Sequence, residues 1–120
     1  VGISPSPRDD QQAAEGHAEL ARECAGVLAL DLELSPEDFE SSADFVGPDY
    51  GVVTEESKAA LHLVAEQEGL LLDPSYTSKA MAGLIAHIDD GRWQAGQTIV
   101  FLHTGGTPAL FAYAKDLGYE

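Results

Sequence analysis

Asp73-Pro-Ser-Tyr-Thr-Ser-Lys-Ala-Met-Ala-Gly-Leu84 and, after a spacer, Phe101-Leu-His-Thr-Gly-Gly-Thr-Pro-Ala-Leu110 decide how this chain is read. The first stretch is a proline turn that feeds a helix. Ala80, Met81, Leu84, Ile85 and Ile88 recur at helical spacing and predict an inward face over residues 78–88, with Asp89-Asp90-Gly91 as the stop. The second stretch is a strand handed over to a helix. Residues 98–102 form an apolar, β-rich run, expected as a buried parallel strand. Gly105 and Gly106 permit a tight turn, Thr107 and Pro108 suit the N-cap and first helical positions, and residues 109–117 read as the last helix.

The rest of the chain extends the same alternation. Residues 1–4 read as the end of a short buried strand, so the chain is expected to be a fragment. Asp9 or Asp10 then caps a helix whose apolar stripe runs through Ala13, His17, Leu20, Ala21, Cys24, Val27 and Leu28. Residues 31–49 form an acidic connector broken by Pro36 and Pro48, with a short strand expected at 44–46. Thr54 caps a second helical pattern along the chain, with Ala60, Leu61, Val64 and Ala65 inward and Gly69 as its stop. Residues 70–72 fit a brief buried strand. Strand and helix in alternation predict an α/β fold with a largely parallel sheet, in one segment over residues 1–120.

Bulk properties narrow the function. The chain has 120 residues, 44% of them hydrophobic, which suits one packed domain or part of one. Its apolar runs are too short to span a bilayer. Twenty-one acidic residues against six basic ones give a net charge of -15, which argues against nucleic acid, because phosphate backbones are held by Lys and Arg clusters. Acidity spread along the chain suits a halophilic source, where salt screens self-repulsion. Cys24 is the one cysteine and is expected in the core. The four histidines show no metal-ligand spacing, so no metal site is expected.

Several side chains are candidates for chemistry. The loop from His103 to Pro108 lies where a strand meets a helix, the place where open parallel sheets bind ligands and helix starts favour anions; such a loop also serves as a plain turn. It lacks the lysine of a Walker A motif. Tyr76 either presents its hydroxyl to a ligand or packs as a rim aromatic, and Tyr50 has the same two readings. Lys79 occupies the first turn of a helix, where a solvated or salt-bridged ammonium is expected rather than a Schiff-base nitrogen. His103 reads as a histidine satisfied at the sheet end. The acidic run lacks calcium-loop spacing.

Gly47-Pro-Asp-Tyr-Gly51 with Thr54-Glu-Glu56, then Glu68-Gly-Leu-Leu-Leu-Asp-Pro74, Tyr76-Thr77, Lys79-Ala-Met-Ala-Gly-Leu84 and His103-Thr-Gly-Gly106 form an ordered set. In order and spacing it resembles the D-cysteine desulfhydrase and 1-aminocyclopropane-1-carboxylate deaminase family of pyridoxal-phosphate enzymes, over about residues 45–113. The resemblance implies the C-terminal portion of a fold-type-II, tryptophan synthase beta-like fold: an open, largely parallel sheet with helices on both faces. It implies pyridoxal 5'-phosphate as cofactor, with the Schiff-base lysine in an N-terminal part outside this chain. Tyr50 and Tyr76 would be catalytic; Thr104, Thr77 and Gly105 would contact the cofactor, Thr104 facing the pyridine nitrogen.

Tyr-Thr at 76–77 and Thr104 after the histidine resemble the desulfhydrases, whereas Tyr-Glu marks the deaminases. The implied reaction is α,β-elimination of D-cysteine to pyruvate, hydrogen sulfide and ammonia, on a small D-amino-acid substrate, in a cytoplasmic homodimer. A deaminase of small amino acids and a non-catalytic truncated α/β module are the alternatives. Ser75, Ser78 and Val53 depart mildly from the family pattern.

Overall fold

Two short strands, β1 (Gly2–Ile3) and β2 (Ser41–Ser42), lie parallel in the computed structural model, which describes residues 1–119. Gly2 faces Ser41 and Ile3 faces Ser42. The Gly2 N–H donates to the Glu40 carbonyl at 2.6 Å, and Ser4 N–H to the Ser42 carbonyl at 2.8 Å. Parallel neighbours need a crossover, and α1 (Asp10–Val27) provides it. Its cap is Asp9, whose carboxylate accepts from Gln12 N–H at 2.9 Å.

The buried face of α1 is not the expected one. Ala13, Ala18 and Ala25 are buried, whereas Leu20 is 59% exposed, Val27 is 86% exposed and Cys24 is exposed too. The helix lies against β2 and a 3-10 turn at Pro36–Asp38 with its small side chains inward. Methyl groups let it approach backbone closely, and His17 reaches Ser41 Oγ at 3.3 Å. The second strand is also displaced from the expected 44–46 to Ser41–Ser42. Ser42 Oγ accepts from Asp44 N–H at 3.2 Å and donates to Asp44 Oδ2 at 2.9 Å, which turns the chain before a strand there can form.

The helical pattern that begins at Thr54 folds as read. Helix α2 (Glu55–Glu68) begins with a reciprocal box: Ser57 N–H donates to Thr54 Oγ1 at 3.1 Å, and Thr54 N–H to Ser57 Oγ at 3.0 Å. It ends on Gly69 in the left-handed conformation, φ 66°. Helix α3 (Thr77–Asp89) packs on α2 over a core of Leu61, Val64, Leu72 and Leu117, with Met81, Phe101, Leu110 and Tyr113 around it.

The buried set of α3 is Thr77, Ser78, Lys79, Ala82 and Gly83, and Ile88 is 45% exposed. The helix is covered on a second side by β1. A Cβ at Gly83 would lie 2.8 Å from Ile3 Cδ1 and 3.1 Å from Phe45 Cδ2, so a larger residue there would have to push those side chains aside.

Residues 98–102 form no strand, and Val100 and Leu102 are 86% and 78% exposed. A strand exists through its ladder, and among the described residues this run has no partner. Residues 70–72 likewise form no strand, although Leu72 is buried. The last helix is shorter than expected: α4 spans Ala109–Ala112 and turns follow it. Thr107 does not cap α4; its hydroxyl donates to the Leu71 carbonyl at 3.3 Å. The class is α/β with a small parallel sheet, as read from the sequence. Among the described residues no helix is long and apolar enough to cross a membrane.

Candidate active site

Asp73 organises the start of α3 and was not singled out from sequence. It is fully buried. One carboxylate oxygen accepts the N–H groups of Ser75 and Tyr76, both at 2.8 Å. The other accepts Thr77 N–H and the Thr77 hydroxyl, both at 2.7 Å. That hydroxyl in turn accepts from Asp73 N–H at 2.8 Å. Three backbone N–H groups of the turn that leads into the helix are thereby met by one side chain, and Tyr76, the residue before the helix, is fixed in direction. The available signal was an Asp-Pro turn with Thr four residues on.

Tyr76 meets Tyr50. Their hydroxyls are hydrogen bonded, and their rings lie 6.0 Å apart, tilted by 57°. Both side chains are partly open to solvent, at 53% for Tyr50 and 42% for Tyr76. The bond to Tyr76 raises the Tyr50 phenol above its usual range, with desolvation adding to it. The Tyr50 phenol therefore keeps its proton at neutral pH. One hydroxyl donates in that bond and the other accepts, so the accepting hydroxyl's own O–H points away from the bond and can meet a bound molecule.

The loop after residue 102 closes on the same turn. His103 Nε2 lies 3.1 Å from the Leu71 carbonyl, and Nδ1 accepts Gly105 N–H at 3.2 Å. The two contacts together assign the proton to Nε2. Gly106, at φ +92°, passes so close to Asp73 that a Cβ would lie 2.7 Å from its Cγ. Gly105, at φ +100°, has open space where a Cβ would be. Thr104 is exposed, and among the described residues its hydroxyl has no side-chain partner.

A cavity of about 550 Å³ lies beside this turn. Tyr76, Thr77 and Thr104 line it with Ile3, Ala80 and Trp93. Tyr50 reaches it only through Tyr76, and Gly105 does not line it. The hydroxyl of Thr77 is already committed to Asp73. Among the described residues no carboxylate lines the cavity.

Lys79 departs most from expectation. It is neither solvated nor salt-bridged; it is fully buried, and Nζ donates to the Val46 carbonyl at 2.6 Å. Burial pushes its ammonium below the usual lysine range, partly offset by Asp49. Neither Lys79, Lys58 nor Lys115 lines the cavity. Among the described residues no cluster of three or more His, Cys, Asp or Glu is placed to hold a metal.

A D-cysteine desulfhydrase of Serratia proteamaculans is 47% identical over 113 residues, 94% of this chain and 33% of that protein. A 1-aminocyclopropane-1-carboxylate deaminase of Allorhizobium ampelinum is 38% identical over 113 residues, again 33% of its own length. Among solved structures, an ACC deaminase homologue superposes with a TM-score of 0.77 at 32% identity, over 98% of this chain and 34% of that one. The chain thus spans about a third of the length of the curated relatives it matches. The family model described as pyridoxal-phosphate dependent enzyme matches residues 2–105, nearly the whole of what has been described above, and the chain belongs to that family.

Proposed function

We propose that this chain forms one wall of the active site of a D-cysteine desulfhydrase, which eliminates sulfide from D-cysteine to leave pyruvate and ammonia. The observation that carries the reading is the hydrogen-bonded pair Tyr50–Tyr76 beside a cavity lined by Thr104. The residues present fit pyridoxal phosphate on one side. The cavity, about 550 Å³, has apolar walls and a few hydroxyls, which suits a flat aromatic ring. The covalent attachment is not assigned to any of the three lysines, because none lines the cavity.

When bound, pyridoxal phosphate supplies an electron sink conjugated to the substrate's amine. Tyr76, held by Tyr50 and by the Asp73 cap, donates or receives a proton at its phenol oxygen. The Thr104 hydroxyl would offer a ring nitrogen a neutral partner. A carboxylate there would hold that nitrogen protonated and strengthen the sink. The hydroxyls that Thr77 and Thr104 bring to the lining support elimination of a good leaving group over opening of a cyclopropane ring. Thr77 acts through the Asp73 cap, and Gly105 shapes the loop. The reading also includes a cytoplasmic homodimer and a small D-amino-acid substrate, as the resemblance implies.

The test is a chimera in which this chain replaces the matching third of the Serratia proteamaculans enzyme. It is expected to release sulfide and pyruvate from D-cysteine, and Tyr76→Phe to lower kcat by about 10²-fold. A chimera that binds pyridoxal phosphate but releases ammonia only from 1-aminocyclopropane-1-carboxylate would replace this reading with the deaminase.

A further inference from the structure

Lys79 has no part in the chemistry above, yet a fully buried ammonium with one hydrogen-bond acceptor is costly and calls for a role. Its acceptor is the carbonyl of Val46, itself buried at 2% exposure. The loop that follows, Gly47 to Gly51, carries Tyr50. Both ends of that loop are tightly placed. Gly47 has φ +76°, and a Cβ there would lie 2.4 Å from Thr54 Cγ2; Gly51 has φ +75° and would meet the Tyr113 hydroxyl at 3.1 Å. Within it, Asp49 Oδ1 accepts Tyr50 N–H at 2.7 Å. Lys79 lies on the first turn of α3, three residues after Tyr76. The one helix start therefore carries Tyr76 directly and holds, through Lys79, the loop that brings Tyr50.

From this we infer that Lys79 is a positioning residue: its ammonium fastens the 47–51 loop to α3 and so sets the Tyr50 hydroxyl against that of Tyr76. The catalytic meaning of that pairing rests on the desulfhydrase reading; the pairing itself does not. Lysine suits the task because its four-carbon stem spans from helix to loop through the packed interior while the ammonium donates to a main-chain oxygen.

The test is read on the tyrosines. With ¹³Cζ-labelled tyrosine in the whole chain, at a salt concentration where its helical circular dichroism is complete, the Tyr50 midpoint is expected above 10.0, the usual phenol value. Lys79→Met keeps the apolar stem and removes the donor. The Tyr50 midpoint is then expected to fall toward 10.0, and adding Tyr76→Phe to change it no further. Loss of a nearby positive charge alone would raise the midpoint, so the sign separates positioning from electrostatics. Aminoethylation of Lys79→Cys, in a Cys24→Ser background, rebuilds an ammonium of the same reach and should restore the wild-type midpoint.

A folded Lys79→Met chain with an unchanged or raised Tyr50 midpoint overturns the proposal. So does failure of both Lys79→Met and Lys79→Gln to fold, which would assign the residue to stability alone. Neither result bears on sulfide release by the chimera, so the desulfhydrase reading stands or falls separately.

Discussion

Asp73 and Gly106 show how a few atoms set the site. The carboxylate caps α3 through three backbone N–H groups and the Thr77 hydroxyl, and the glycine leaves room for it. Asp73→Ala strands those donors in a buried place and is expected to lower the unfolding free energy by about 2–4 kcal/mol, read from urea titration. Lys79 gives a second prediction, on pH. Burial depresses its folded value below the usual 10.5, so the cost of the buried ammonium is fully present at lower pH. That cost is relieved as pH rises through the folded value toward 10.5, because there the unfolded chain holds the extra proton. The melting temperature of the wild type is expected to gain on that of Lys79→Met across that alkaline window. A constant difference between the two would show an ammonium that is solvated in the folded chain.

Elements hold where their signals are local. Thr54 and Ser57 bond each other's backbone N–H, and Gly69 takes the conformation that closes α2. Thr54→Ala is expected to cost about 1 kcal/mol, seen as a lower urea midpoint with an unchanged slope. Gly69→Ala, by contrast, meets no atom within 4 Å, so its cost is the strain of a left-handed alanine alone, roughly 1 kcal/mol. Residues 98–102 illustrate the opposite case. Their composition is that of a strand, but pairing is a property of two segments, and among the described residues the second is missing.

At the scale of the molecule, surface is in excess. The chain exposes 8008 Å², against roughly 6,200 Å² for a compact monomer of its mass. Its radius of gyration is 15.8 Å, against about 13.6 Å for a compact domain of this length. Large side chains, Val27, Val100 and Phe111 among them, account for part of that surface, each more than four-fifths exposed. A net charge of -15 on so open a chain adds self-repulsion. Folding is therefore expected to strengthen between dilute buffer and molar salt, followed by circular dichroism during thermal melts. A midpoint that stays flat across that range would remove the halophilic reading.

What the amino-acid order determined by itself was whatever depends on neighbours in sequence. The cap at Asp9, the box at Thr54 and the stop at Gly69 all follow from contacts a few residues long. The ordered set around Tyr50, Tyr76 and Thr104 was legible as a resemblance. Tertiary structure alone decided the rest. Periodicity names a stripe but not the partner that covers it, so α1 buries its alanines and leaves Leu20 and Cys24 outside. Lys79 looks like a surface residue until the packing of α3 closes over it and offers the Val46 carbonyl, which lies 33 residues earlier in the chain. The Tyr50–Tyr76 bond spans 26 residues and the Gly106–Asp73 approach joins two loops. Such contacts arise from the folding of segments onto one another, and no local pattern of residues encodes them.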